Sequence, residues 1–537
     1  MSSLSLRPLP LAQTLRLGRP SAIWFKPALS VVASTLPPNL VLLALGRLDL
    51  ALYTMAGALC ALYAHDRPYA ARARVLALVV LGMTGGLAAA LLTASLTSDP
   101  VVLVTVGALL AAVQKTVCEA TRIGPPGNVV VAFVMSAALF VPQTPGQVPG
   151  HLALALGAGA WAWLVGMAPV LLRPHGPERR AVAAALRAVA AQVAGDGGAG
   201  PARTAAYAAL HTARSVLHAP GVRPDPTRRA LAALLTEAET ALATRAADPA
   251  VLRAHADALR GNGPVPGALD AAAEPPCPRP RRIPLTHLAP LAVRTALGCA
   301  LAGYAALALG VGRPYWALVT AAALYQANVT RTWSRALQRV LGNLLGVLVF
   351  AALAPLTHLH PAVLVLCCAA CNFGAEALIA RNYWLGTVCV TPMALLITEF
   401  TRLQDPGALM TQRVLDTLVG ALTGFAAAVL VTNRRAGRHV EHALTAVEEA
   451  RAHADRLLAE PRPTALDPAR RALAAALIDL RVTADTALGE WWQRPLPEER
   501  VLRAEQAGHR TLTETTRHGR VARARTHDSG TTEAVRP

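Results

Sequence analysis

Apolar residues fall in twelve stretches, arranged as two runs of six. The first run lies near 28–46, 49–65, 75–97, 100–118, 127–143 and 151–172, and the second near 288–310, 314–329, 337–356, 361–379, 383–400 and 411–432. A helix that crosses a bilayer needs about 20 mostly apolar residues, so each run predicts six membrane spans. The second and fifth stretches of the first run are short or interrupted, and Pro37-Pro38 is expected to break the first. A polar block with apolar residues at helical spacing follows each run: 178–194, 202–218, 226–246 and 249–260 after the first, then 438–459, 467–492 and a shorter piece near 497–510 after the second. Asp225-Pro226 and Asp248-Pro249 predict helix starts, with Asp as the cap and Pro in the first turn. The Pro-rich stretch 264–284 reads as a linker, and the polar tail from about 516 is expected to be disordered.

The pattern predicts an all-α polytopic membrane protein. It has two parallel six-helix transmembrane repeats, each followed by a cytoplasmic helical domain. The expected boundaries are 1–172 for the first membrane module, 173–263 for a helical domain and 264–287 for the linker. The second module follows at 288–432, a C-terminal helical domain at 433–515 and the tail at 516–537.

Composition agrees with a membrane solvent. The chain is 54% hydrophobic and 15% charged, against about 25% charged in soluble domains. Its net charge of +19 sits in short clusters between apolar runs, with no interleaving of aromatic and basic residues of the nucleic-acid-binding kind. Arg67/Arg72/Arg74, Lys115/Arg122 and Arg173/Arg179/Arg180 fall on one side of the first module. Arg279/Arg281/Arg282, Arg331/Arg335/Arg339, Arg381 and Arg434/Arg435/Arg438 fall on the same side of the second. By the positive-inside rule that side is the cytoplasm, with both termini there, in the cytoplasmic membrane. Arg47, Arg313, Arg402 and Arg413 are the exceptions. Three of the eight cysteines, Cys367, Cys368 and Cys371, cluster inside an apolar segment that offers no further ligands. The cysteines read as small buried hydrophobes, so neither a metal nor a cofactor is expected. No P-loop, G-x-S-x-G, H-E-x-x-H or Rossmann fingerprint is present, which disfavours ATP-driven transport and enzymatic activity.

The two runs resemble each other in order. Ala61-Leu62-Tyr63 matches Ala323-Leu324-Tyr325, and Leu81-Gly82-x-x-x-Gly86 matches Leu341-Gly342-x-x-x-Gly346. Glu119-Ala120 matches Glu376-Ala377, and Met135 matches Met393. An even number of spans returns each repeat to its starting side, so a duplication predicts a pseudo-two-fold axis along the membrane normal. The third and sixth spans are expected beside that axis, with the two G-x-x-x-G pairs allowing close packing there.

The second run carries Gly312-Arg313-Pro314-Tyr315-Trp316-Ala317-Leu318, Arg335-Ala336-Leu337-Gln338-Arg339-Val340-Leu341-Gly342-Asn343, Arg381-Asn382-Tyr383-Trp384 and Thr391-Pro392-Met393. In these stretches it resembles the fusaric acid resistance, or aromatic acid exporter, family of integral membrane transporters, and the first run matches more weakly. The resemblance implies efflux of aromatic or other organic carboxylates, driven by protons. It also suggests a remote likeness to plant aluminium-activated malate transporters.

Ionisable residues in a membrane are costly, so each is a site candidate. Arg294, Arg335, Arg339, Asn343, Asn382 and Tyr383, with Arg72 and Arg74 in the first module, are candidates for the substrate path. Arginine offsets the desolvation of an organic anion, amides orient a carboxylate and Tyr383 offers an aromatic face. Snorkelling anchors are the plainer role for the arginines. Glu376, Glu119 and Asp416 are the candidates for proton coupling, with a helix-end salt bridge to Arg381 or Arg122 as the plainer role for the two glutamates. The expected partners are the lipid bilayer, a small organic anion and protons, and no nucleic acid. A homo-oligomer or an accessory envelope protein stays open. A passive anion channel, or a membrane scaffold recruiting partners through its polar domains, fits the same pattern.

Overall fold

The computed structural model describes residues 14–18, 23–195, 200–219, 221, 225–244, 247–266, 285–431, 436–460, 465–491 and 497–533. Most of the expected linker and Cys277 lie outside them. The described residues fold into helices without a strand. The first apolar run gives α1 (Phe25–Ala44), α2 (Ala51–Ala58), α3 (Tyr69–Leu96), α4 (Pro100–Thr121), α5 (Val129–Leu139) and α6 (Val148–Met167). The first polar block gives α7 (Gly176–Ala194), α8 (Gly200–Leu217), α9 (Pro226–Thr244) and α10 (Pro249–Ala258). The second run gives α11 (Leu285–Ala308), α12 (Pro314–Leu324), α13 (Val329–Thr357), α14 (Pro361–Ile379), α15 (Tyr383–Glu399) and α16 (Pro406–Leu430). The last block gives α17 (Ala436–Leu458), α18 (Leu466–Leu488) and α19 (Glu498–Glu533).

Eight of these helices, with their flanking turns, are long and apolar enough to cross a membrane. The protein is therefore built as a multi-pass membrane protein. Of the twelve expected spans, eight are matched by helices of spanning length and four by shorter apolar helices. Leu48–Leu62, Val129–Leu139, Pro314–Leu324 and Tyr383–Glu399, the second and fifth segments of each run, are shorter. Their apolar residues serve protein contacts instead of lipid: every residue of α12 is buried.

Pro37 and Pro38 do not break α1, which continues through them to Ala44. Pro37 lacks the N–H that would pair with the Ala33 carbonyl, and the Trp161 indole N–H from α6 donates to that carbonyl at 3.0 Å. The orphaned group is satisfied from a neighbouring helix, which is how membrane helices tolerate proline. The polar tail also differs from expectation, because α19 runs unbroken to Glu533. It holds no proline and is rich in good helix formers, with an i,i+4 pair between Glu499 and Arg503. Asp-Pro helix starts recur. Asp99, Asp248 and Asp405 each accept a backbone N–H of their own first turn, from Val101 at 2.8 Å, Ala250 at 2.7 Å and Ala408 at 2.7 Å.

Within each run the third helix packs on the fifth and sixth, the second on the sixth, and the first on the second. Between the runs, α1 packs on α14 and α11 on α4, with α12 against α5. The junction is therefore made chiefly by the first and fourth helices, not by the third and sixth. The glycine pairs serve contacts inside a run. A Cβ on Gly342 would stand 2.5 Å from Thr387 and one on Gly346 2.6 Å from Thr391, both on α15. Gly86 meets Met135 of α5 in the same way, whereas Gly82 faces nothing within 4 Å.

The two polar blocks each bury an Ala/Leu/Val core, around Leu186, Val189 and Leu235 in the first and Leu473, Leu477 and Leu480 in the second. Full burial of each Leu or Val contributes about 1.5–3 kcal/mol. They join through Arg470–Glu239 at 3.0 Å, Arg203 donating to Thr513 at 3.0 Å, and a Tyr207–His509 ring stack at 5.3 Å.

Candidate functional site

Four helices of the second module converge on a file of polar side chains. Arg335 and Arg339 are four apart on α13 and so share one face. The Arg335 guanidinium lies 3.7 Å from the centroid of the Tyr383 ring. Arg339 is 3% exposed and donates through Nη1 to the Tyr383 hydroxyl at 3.1 Å. One turn further along α13, Asn343 is fully buried. Its Oδ1 accepts from Thr391 Oγ1 at 2.8 Å and from Arg413 Nε at 3.1 Å. Its Nδ2 donates back to the Arg339 carbonyl at 3.3 Å.

Arg413, on α16 and 1% exposed, lies 5.0 Å from the Trp316 ring centroid. Arg313, at the start of α12, also lies 5.0 Å from that ring and bonds Gln404 and, at 3.4 Å, the Tyr315 hydroxyl. Asp416, three residues beyond Arg413 on the same helix, is fully buried, and neither carboxylate oxygen has a hydrogen-bond partner. Donors without partners also accumulate: Arg339 Nε, Arg413 Nη1 and Trp316 Nε1 are buried and unbonded. Buried polar atoms are nearly always paired. A group of unpaired donors beside aromatic faces is what an organic anion needs for binding. Four arginines against one aspartate leave the file net positive.

A short N-terminal segment lies across the Arg335 end. The Thr14 carbonyl accepts from Gln338 at 2.8 Å and from Asn382 at 3.0 Å. Asn382 also bonds the Arg16 carbonyl at 3.1 Å, and Gly18 N–H donates to the Arg381 carbonyl at 2.8 Å.

The structure brings Arg335, Arg339, Asn343, Tyr383 and Asp416 together and leaves the other candidates elsewhere. Arg294 is the clearest correction. It is 2% exposed, and its Nη2 lies 2.9 and 2.8 Å from the two Glu490 oxygens, tying α11 to the end of α18. Asn382 caps α15 and holds the N-terminal segment. Glu119 pairs with Lys115 at 2.8 Å instead of Arg122. Glu376 sits on α14 near Tyr63 of the first module, with no ion pair to Arg381. Arg72 and Arg74 belong to the first module, Arg72 against His65 and Arg74 exposed. Sequence reasoning passed over Arg313, Arg413, Trp316 and Thr391 as site residues. The usable signal was charge: Arg313 and Arg413 are two of the four basic residues on the wrong side of the positive-inside pattern.

The fold and the file define a multi-pass helical membrane protein with a buried cationic centre. Residues 300–427, which include every residue of the file, match the family described as fusaric acid resistance protein-like, so the likeness read from the Arg313, Arg335 and Arg381 stretches holds for the second module. An uncharacterized membrane protein of Bacillus subtilis (strain 168), YvaC, is 30% identical over 190 residues. That alignment covers 35% of this chain and 29% of YvaC, so it spans less than a third of that relative's length. No solved structure matches the chain.

Proposed function

We propose that this protein is a secondary transporter of small organic anions in the cytoplasmic membrane, exporting aromatic or other carboxylates in exchange with protons. The observation that carries this reading is the file itself. Arg339 and Arg413, almost fully buried, hold unused donors beside Trp316 and Tyr383. A carboxylate satisfies the donors and an aromatic ring stacks on the indole or phenol. Asp416 is the acid placed to exchange a proton, because an anion beside Arg413 competes with it for the same positive charge.

The short second and fifth helices support the reading. Short or interrupted segments at corresponding positions in two halves mark transporter binding sites, and in the second module these segments supply Trp316, Tyr383 and Thr391. The shared packing plan of the two runs, with reciprocal contacts of first on fourth helix, is consistent with two parallel six-helix repeats. The basic ends then face the cytoplasm, with the polar domains on that side. The N-terminal segment lies over the cytoplasmic mouth.

The test is uptake into vesicles of purified protein under an imposed pH gradient, with benzoate as the aromatic probe and an aliphatic carboxylate beside it. The expected result is gradient-driven flux that Arg339→Ala and Arg413→Ala abolish and that Asp416→Asn uncouples from pH. Flux unchanged by either arginine substitution would overturn the path. Flux in the parent that ignores the gradient would make the protein a passive channel.

A further inference from the structure

The first module carries a basic cluster that none of these roles uses. Between α2 and α3 the chain turns sharply, with Ala64 at φ 61°, a left-handed conformation that a non-glycine residue adopts at a cost. The next residue is His65. Its Nδ1 lies 3.2 Å from Arg72 Nη2, and its carbonyl accepts from Arg180 Nη2 at 3.1 Å. A guanidinium can only donate, so Nδ1 is the acceptor and the ring proton sits on Nε2. Nε2 is buried without a hydrogen-bond partner, and so is Nε of Arg72, a residue only 4% exposed. Arg180, Arg173 and Arg72 are all close enough to Lys26 for their charges to act on it. Two acids, Asp66 and Glu178, stand against these four cations, so the cluster keeps a positive excess. Asp66 is exposed and acts on Arg72 and Arg180 from the surface, and Glu178 gives one oxygen to Arg228 at 2.9 Å and keeps the other buried and unpaired. The Tyr69 hydroxyl and the His65 carbonyl are further acceptors beside the arginines.

The cluster also has a defined place. Lys26 is in the first turn of α1, Arg72 in the first turn of α3, and Arg173 just past the turn that ends the α6 span at Val170. Three span ends thus meet at one membrane border. A snorkelling arginine reaches outward to water, whereas Arg72 is buried beneath His65 with a donor to spare. Charge-assisted bonds from several directions suit a tetrahedral group with many acceptor oxygens better than a planar one.

We propose that Lys26, His65, Arg72 and Arg180 form a binding site for a phosphate group, either the headgroup phosphate of an anionic lipid or phosphate from solution. The site is structural or regulatory and independent of the transport path, since it lies in the other module. The test uses the full-length protein in detergent, followed by thermal melting and by native mass spectrometry. Phosphatidylglycerol, phosphatidylcholine and inorganic phosphate are added separately. A lipid site predicts that phosphatidylglycerol raises the melting temperature and remains bound while phosphatidylcholine does neither. A solution site predicts that inorganic phosphate alone gives the shift. In either case Arg72→Gln and Lys26→Gln should weaken binding by about tenfold or more. Lys26 is only half-buried, so its variant keeps the test open should Arg72→Gln fail to fold. The proposal is wrong if neither phosphate source stabilises the parent beyond phosphatidylcholine, or if both variants respond as the parent does.

Discussion

α3 and α13 hold corresponding places in their runs, each packed on the fifth and sixth helices of its own run and meeting the fifth through a glycine, Gly86 or Gly346. They bury opposite chemistry. With Leu81-Gly82 set against Leu341-Gly342, the positions of Arg335, Arg339 and Asn343 correspond to Val75, Val79 and Met83. Likewise Ala61-Leu62-Tyr63 against Ala323-Leu324-Tyr325 pairs Tyr315-Trp316 with Tyr53-Thr54. One packing plan therefore accommodates either an apolar interior or a charged one. The charged interior is tolerated because its arginines bond one another's neighbours, through Tyr383, Asn343 and Gln404. The donors left over are the ones the proposed function puts to use. Under the proposed function, the contrast gives the second module to the solute and leaves the first as a support with its own border cluster.

The largest effect is expected at Arg413. Arg413→Ala strips the nearest cation from buried Asp416 and a donor from Asn343, and breaking a buried charge cluster in this way costs about 3–5 kcal/mol. Melting temperature should fall and carboxylate flux vanish together, and retention of flux would erase the distinction between the modules. Next is the converse change, Val79→Arg. It puts the charge of Arg339 at a buried site of α3 within the module's hydrophobic core, at a cost of about 2.5–3.5 kcal/mol. Expression and melting should both drop, and a variant as stable as the parent would mean that the first module has a polar interior after all.

The glycine motifs give a smaller and signed test. Gly342→Ala drives a methyl into Thr387 and the Trp384 carbonyl, 2.5 and 2.6 Å away, and should cost about 1–3 kcal/mol. Gly82→Ala meets nothing within 4 Å and should be neutral or gain up to about 1 kcal/mol from helix propensity. Equal losses in melting would show that α3 and α13 are packed alike at both positions.

The smallest effect concerns the joint between the polar domains behind the two modules. Burial, with the Arg203 charge nearby, pushes the His509 imidazole down to about 4. Because the unfolded chain takes up the proton first, its stabilisation is complete above the ordinary histidine pKa near 6.5. It is lost as pH falls from there toward about 4. Lowering the pH from about 7.5 to 5.5 should destabilise the Tyr207–His509 joint by about 1 kcal/mol. His509→Phe should remove this component of the pH dependence of melting, and an unchanged pH profile in that variant would count against the joint.

Much was legible in the chain. Hydropathy marked the apolar segments and polar blocks, Asp-Pro pairs marked helix starts, and Arg335, Arg339, Asn343, Tyr383 and Asp416 were legible as candidates because charges and amides are costly in lipid. Errors arose where partners come from far along the chain. Pro37-Pro38 read as a break because Trp161 lies 124 residues beyond Pro37. Arg294 read as a path residue because Glu490 lies 196 residues away. Arg413 read as an exception to a charge rule because nothing local shows that it meets Asn343 and Trp316.

The sequence by itself determined the all-helical class, the repeated order of segments and the set of residues too costly to bury without cause. These follow from local free energies of transfer and from backbone periodicity, which each segment carries alone. Only the tertiary structure decided which charges are anchors and which form a file, which segments fall short of the membrane, and which module holds the polar interior. Those outcomes depend on which helix faces meet. Whether a buried arginine is satisfied, paired or left with a free donor is set by its neighbours in space.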